Sequence, residues 1–260
     1  MSISENDIND LKNAKILLES SGLASKLVNT FGISVEKGLD SLPESLSNKI
    51  FSLTEKVLQS SLEIAIYSLK SNEGIQDSSD TFHKFCAAAS GCVGGALGFS
   101  TLAIELPITT TIMLRSIADI AQSKGENLEE IEPRLACLEV FALGEKHHSE
   151  NFSETGYYAV RAALSNAIIN ASRYIAQTSV IDDSAPILLR FITSIASRFG
   201  VVVSEKMAAT ALPIIGAAGG VLINTFFMNY FQDLARGHFT IRHLERCYGK
   251  DTVRKAYELL

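Results

Sequence analysis

The 260-residue chain reads as an all-α protein: a compact multi-helix body with two Gly/Ala-rich apolar helical segments and an N-terminal helical arm. Three observations predict this. Apolar residues recur at three- and four-residue spacing in every amphipathic stretch, which places them on one helix face. β-Branched and aromatic residues nowhere alternate with polar ones for long, so strand signals are weak. Only five prolines interrupt the chain, and Pro43, Pro133 and Pro186 stand beside polar residues, as at the first turn of a helix.

The elements follow in order. Residues 7–28 carry Ile8, Leu11, Ala14 and Leu18 on one face, with Gly22 and Gly32 blurring the end. A second helix runs from near Pro43 to about Leu69, striped by Leu46, Ile50, Leu53 and Val57 and then by Leu58, Leu62 and Ala65. The polar stretch SNEGIQDSSD, residues 71–80, divides an N-terminal helical arm (1–80) from a body (81–260). In the body, Glu105-Leu106-Pro107 restarts a helix with Pro107 in its first turn, and that helix ends near Gly125. A helix over Glu130 to Leu143 precedes the polar loop GEKHHSENFSETG. Residues 157–177 then place Val160, Leu164, Ile168, Ala171 and Ile175 at helical spacing. DDSAP at 182–186 caps a helix over Leu188 to about Leu212, and Pro213 restarts the chain. The closing basic helix, 239–259, is broken or bent at Gly249.

Two long stretches are almost without charge. Between Lys84 and Arg115 the one acid or base is Glu105, and between Lys206 and Asp233 there is none. About 20 apolar residues suffice to cross a bilayer as a helix. Both runs are diluted by Ser, Thr, Asn and Gly, so a shallow hairpin or an amphipathic contact fits as well as a full span. Their glycines, Gly91, Gly94, Gly95 and Gly98 in one and Gly216, Gly219 and Gly220 in the other, permit close helix packing. They match neither a dinucleotide fingerprint nor a P-loop.

Composition excludes further classes. The net charge of −6, its acidic excess lying in the first half, argues against nucleic acid as a principal partner. Cys86, Cys92, Cys137 and Cys247 show no metal spacing, and no Gly-x-Ser-x-Gly turn offers a nucleophile. His147 and His148 fall in a polar loop, and His238 and His243 read as surface residues of the basic tail. No metal and no cofactor is implied. The N-terminus, MSISENDINDLK, lacks a basic and then apolar leader pattern, which predicts a cytoplasmic location.

Glu105 is the lone carboxylate of its run; near a helix start, or paired with Arg115 or a tail arginine, its charge is accommodated. In the tail, Arg242, Arg246, Lys250 and Arg254 recur every four residues, one face of a continuous helix that anionic headgroups would attract.

Several of these segments resemble the EcsC protein family. The resemblance rests on the Gly/Ala-rich run, ELPITTTIMLRSIADIAQSKG at 105–125, PRLACLEVFALG at 133–144 and the stretch from Lys206 to Gly249, covering about residues 81–260. Glu105-Leu106-Pro107, Arg115, Gly125, Leu138-Glu139, Pro213-x-x-Gly216, Asn224, Ala235-Arg236 and Arg242-x-Leu244-Glu245 carry it in a fixed order. Glu105 stands where the family has Asp. The resemblance implies a helical fold and, through the family's link to a transporter operon, a membrane protein or transporter as partner. It implies no reaction.

Two readings follow. One is a non-enzymatic, membrane-associated accessory or interaction protein, peripheral to the inner membrane, meeting an anionic membrane surface through Arg242, Arg246, Lys250 and Arg254. The other is a soluble helical enzyme whose Glu105, Arg115, Glu139, Asn224, Arg236 and Arg242 converge on one buried polar site.

Overall fold

The computed structural model describes residues 3–20, 22–31, 35–40, 42–67, 99–144, 156–178, 182, 184–210 and 216–260. Among them all regular structure is helical: α1 (Glu5–Glu19), α2 (Leu23–Phe31), α3 (Val35–Asp40), α4 (Glu44–Tyr67), α5 (Phe99–Ser123), α6 (Ile131–Ala142), α7 (Tyr157–Gln177), α8 (Pro186–Thr210), α9 (Gly216–Tyr248) and α10 (Lys250–Leu259). The sequence boundary at 71–80, the glycines of the first run, Cys86, Cys92 and the His147-His148 pair lie outside the described residues.

Two helices organise the body. α8 packs against α2, α3, α4, α6, α7 and α9, and α9 packs against α1, α2, α5, α6, α8 and α10. They meet antiparallel through aromatic rings: Phe199 of α8 lies 5.4 Å from Phe231 and 6.1 Å from Phe227 of α9, and Phe141 of α6 closes the group 4.8 Å from Phe199. Over Pro186–Ala209, α8 is the one described helix long and apolar enough to cross a membrane. Its six neighbours bury half of that stretch, while Ile187, Leu189 and Val201 stay exposed.

The amphipathic readings hold in detail. Leu11, Ala14 and Leu18 are buried on α1, and Leu164, Ile168, Ala171 and Ile175 on α7. Asp182 accepts from the Ser184 amide just before Pro186 opens α8. α5 ends at Gly125, whose φ of +81° suits glycine. There the Gly125 amide donates to the Gln122 carbonyl at 2.9 Å and the Glu126 amide to Ala121 at 3.0 Å, the paired bonds of a Schellman stop.

Three boundaries differ from expectation. The stretch 7–28 is two helices, α1 and α2. α5 already runs from Phe99, so Pro107 sits inside the helix rather than in a first turn. Glu105 therefore lies within α5, away from free N-terminal amides. From Gly216 on, the second uncharged run continues into the basic segment as one 33-residue helix, α9, which ends at Tyr248 before Gly249. Nothing between Asn224 and Tyr248 stops it, because the one internal glycine, Gly237, keeps helical geometry and serves packing.

At Gly237, α1 comes within touching distance of the α9 backbone. A Cβ there would stand 2.6 Å from Leu18 Cγ and 3.0 Å from the Ala14 carbonyl oxygen. In an open helix, Gly to Ala stabilises by about 1 kcal/mol. Here the expected sign is reversed: Gly237→Ala should lower the unfolding free energy by about 1–3 kcal/mol, since α1 must shift. Pairing it with Leu18→Ala should give a positive coupling in a urea-melt double-mutant cycle; a stabilising Gly237→Ala would remove the close approach as a constraint.

Candidate functional site

The C-terminal half of α9 carries ionisable residues into the protein. His238, Arg242 and Glu245 follow at spacings of four and three, so one helix face presents all three. α6 brings Glu132 and Glu139, α7 brings Tyr157, Tyr158 and Arg161, and the turn after Gly125 brings Glu126.

Arg242 lies between two carboxylates. Its Nε and Nη2 donate to Glu126 at 2.8 and 3.1 Å, and Nη1 and Nη2 to Glu132 at 2.9 and 2.8 Å. Arg246 reaches the same Glu126 and donates to the Lys124 carbonyl at 2.6 Å. Burial by itself would raise the pKa of Glu126, but the hydrogen bonds and charge of Arg242 and Arg246 outweigh it and hold the carboxyl below its usual range. One turn along, Arg161 grips Glu245 with two bonds, at 2.7 and 3.0 Å, while stacking over Tyr157 and Tyr158.

Between these pairs lies a line of three buried groups. Tyr157 Oη is hydrogen-bonded to His238 Nδ1 at 3.0 Å. His238 Nε2 faces Glu139 Oε2 at 3.7 Å and has no hydrogen-bond partner. Burial pushes the Glu139 carboxyl up to about 7 against the pull of Arg161 and Arg242. Burial, then Arg161 and Arg242, drives His238 well below its usual value. The arrangement can store one proton between a carboxyl and an imidazole. Among the described residues no cluster of His, Cys, Asp or Glu could hold a metal ion. Cys137 is buried beside this network with its thiol pushed up to about 12, so it stays protonated and inert.

A second polar pair sits elsewhere. Lys206 of α8 donates to Glu105 of α5 at 2.5 Å and lies 4.7 Å from the centre of the Phe227 ring. Burial lowers the pKa of Lys206, and Glu105 opposes that shift. Glu105 is thus paired, but by a lysine of the adjoining helix and not by Arg115 or a tail arginine. Phe227 and Arg242 are 15 residues apart on α9, so this pair lies about 22 Å along the helix from the Arg242 network.

Of the six residues expected to converge, Glu139 and Arg242 belong to one network. Glu105 sits at the other level of α9 with Lys206. Asn224 is half-buried 18 residues before Arg242, about 27 Å along the same helix. Arg115 is exposed on α5, and Arg236 is exposed and paired with Asp233 at 2.8 Å. Of the four tail cations, Arg242 and Arg246 face Glu126, Arg254 pairs with Glu258 at 2.8 Å, and Lys250 is exposed beyond Gly249. His238, read from sequence as a surface residue, is fully buried. Lys206, Tyr157, Arg161 and Glu126 were missed. The signal for Arg161 was present: a cation one turn into an amphipathic helix, next to two tyrosines.

A family model described as the EcsC protein family matches residues 12–244. No curated protein and no solved structure matches the chain. The match begins inside α1, ahead of the residues 81–260 that carried the sequence resemblance, and so takes in α2, α3 and α4 as well.

The Glu139–His238 pair sets opposing pH dependences. Unfolded, Glu139 ionises above 4.5, whereas folded it keeps its proton to about 7, so this group makes folding less favourable as pH rises across that window. An unfolded His238 gains a proton below 6.5 that the folded protein refuses, so this group makes folding less favourable as pH falls. Below 6.5 the two effects oppose each other. Relative to the unaltered protein, Glu139→Gln should therefore lose stability as pH is lowered from 6.5 to 4.5, and His238→Gln should lose it as pH is raised over the same span. Urea midpoints at half-unit pH steps read both; parallel curves for all three proteins would refute the shared proton.

Proposed function

The chain belongs to the EcsC protein family, and we propose that it acts without catalysis, as a membrane-associated helical accessory protein of the cytoplasmic side of the inner membrane. The supporting observation is how charge is distributed along α5 and α9. The two helices run parallel: Glu105 is level with Phe227 through Lys206, Ser116 Oγ accepts from Gln232 at 2.9 Å, and Glu126 meets Arg242. The described uncharged halves, residues 99–114 and 216–232, therefore share a flank. Across residues 99–114 of α5 and 216–232 of α9 the one charged side chain is Glu105, which Lys206 neutralises. On the outer side of α5, Ile104 and Ile108 are half-buried and Ile112 is exposed, at four-residue spacing. Such a stripe beside uncharged backbone suits the headgroup–acyl boundary.

The contribution of the tail to this reading is smaller than its arginines suggest. Arg242 and Arg246 are engaged with Glu126 inside the protein. The exposed side of α10 offers Lys250, Arg254 and Lys255 against Asp251 and Glu258, a net charge of +1. At about 1 kcal/mol per cation near an anionic surface, that is a weak supplement. The enzyme reading needs six residues in one site, and their spread along α9 gives it no support.

Liposome flotation tests the proposal. Binding should survive high salt and occur on neutral vesicles as well as anionic ones, because apolar contact carries it. Ile108→Glu, at a half-buried site, should reduce the bound fraction at least fivefold while the helical spectrum is kept. Binding that vanishes with salt would return the role to the tail cations, and no binding to any vesicle would sink the membrane reading.

A further inference from the structure

The buried polar cluster has a separate cover. α10 is joined to α9 through Gly249, which is exposed, has φ of +86° and has nothing within 4 Å of where a Cβ would stand. Such a joint admits rotation without disturbing packing. α10 itself buries only Val253 and Tyr257. The Tyr257 ring lies 5.2 Å from Tyr158 and 6.0 Å from Tyr157, edge-on or tilted to both. From the body, Lys15 of α1 holds it: Nζ donates to the Tyr257 carbonyl at 3.0 Å and lies 5.0 Å from the ring centre. From the strap side, Arg254 reaches back over Tyr158 at 5.6 Å. Beneath these rings are the Arg161–Glu245 pair and the Tyr157–His238–Glu139 line. α10 also lies outside the family match, which ends at residue 244.

We propose that α10 is a releasable strap, hinged at Gly249 and latched by Tyr257, whose departure uncovers Tyr157, Tyr158 and the Arg161–Glu245 pair while the rest of the body stays folded. The contacts divide that way. α9 is held by aromatic packing, the Gly237 approach and the Arg242 carboxylates, whereas α10 is held by two buried side chains, the Lys15 and Arg254 contacts, and the approach of the Tyr257 hydroxyl to Glu19 of α1. A helix of ten residues has little stability of its own once its buried face is lost. Opening of this kind is local and is read by amide exchange separately from global unfolding. Tyr157 is the reporter, because its ring is buried in part by Tyr257 and its hydroxyl reaches the interior.

Hydrogen exchange on the full-length protein should show α10 amides exchanging at least 100-fold faster than those of residues 234–244 in α9. Hydroxyl-radical footprinting adds the side-chain view. In full-length Tyr257→Ala, oxidation of Tyr157 should rise at least fivefold with α9 amides still protected, and Tyr257→Phe should stay close to the unaltered protein. Exchange of α10 in step with α9 would overturn the proposal, as would Tyr257→Ala with Tyr157 no more reactive than before. Should Tyr257→Ala lose α9 protection as well, Tyr257 supports the whole body and the strap is refuted.

Discussion

A guanidinium placed between packed helices needs carboxylates, and Arg242 has two. Its pairing with Glu126 and Glu132 ties the corner between α5 and α6 to α9. The corner is shaped by Gly125, whose left-handed backbone turns the chain so that the next residue, Glu126, faces the arginine. The network is shared: without Arg242, Glu126 keeps Arg246, and without Glu126, Arg242 keeps Glu132. The orientation of α6 then sets where Glu139 lies, and through it the His238–Tyr157 line and the position of α7. Charge pairing at one level of α9 thus fixes three other helices.

The same helix has a second character. Its N-terminal half is uncharged and lies beside the uncharged half of α5, with the Lys206–Glu105 pair as the charged contact there among the described residues. Six helices pack against α8, yet Ile187, Leu189 and Val201 on it are exposed, so packing explains only part of its apolar composition. On α5, Ile104 and Ile108 are half-buried and Ile112 is exposed. Composition alone does not separate a helix buried by its neighbours from one with an exposed apolar face, because both are rich in apolar residues.

Much of the fold was legible. α1, α4 and α7 were marked by stripes at helical spacing, and Gly125, DDSAP and Gly249 marked ends by local backbone chemistry, which needs no partner. Pro107 misled, because a proline inside a helix reads as a start when the preceding turns lie in an uncharged run with no periodicity. Glu105 was legible as a residue needing a partner. Lys206 was not, since it is 101 residues away in sequence and only the antiparallel meeting of α8 with α9 brings it near. Gly237 gave no warning either: a glycine inside a helix looks like a weakness until the helix crossing it is known.

The sequence by itself determined the helical class, the family, most helix ends and the two uncharged runs, because periodicity, caps and composition are local properties. Tertiary structure decided which charges are spent inside the protein. Arg242, Arg246 and Arg254 share one helical register in sequence, yet Arg242 and Arg246 turn toward Glu126 while Arg254, past the break at Gly249, turns outward. His238 moved from expected surface to full burial for the same reason: a helix face is polar or apolar by composition, but what it meets is set by the helices packed against it.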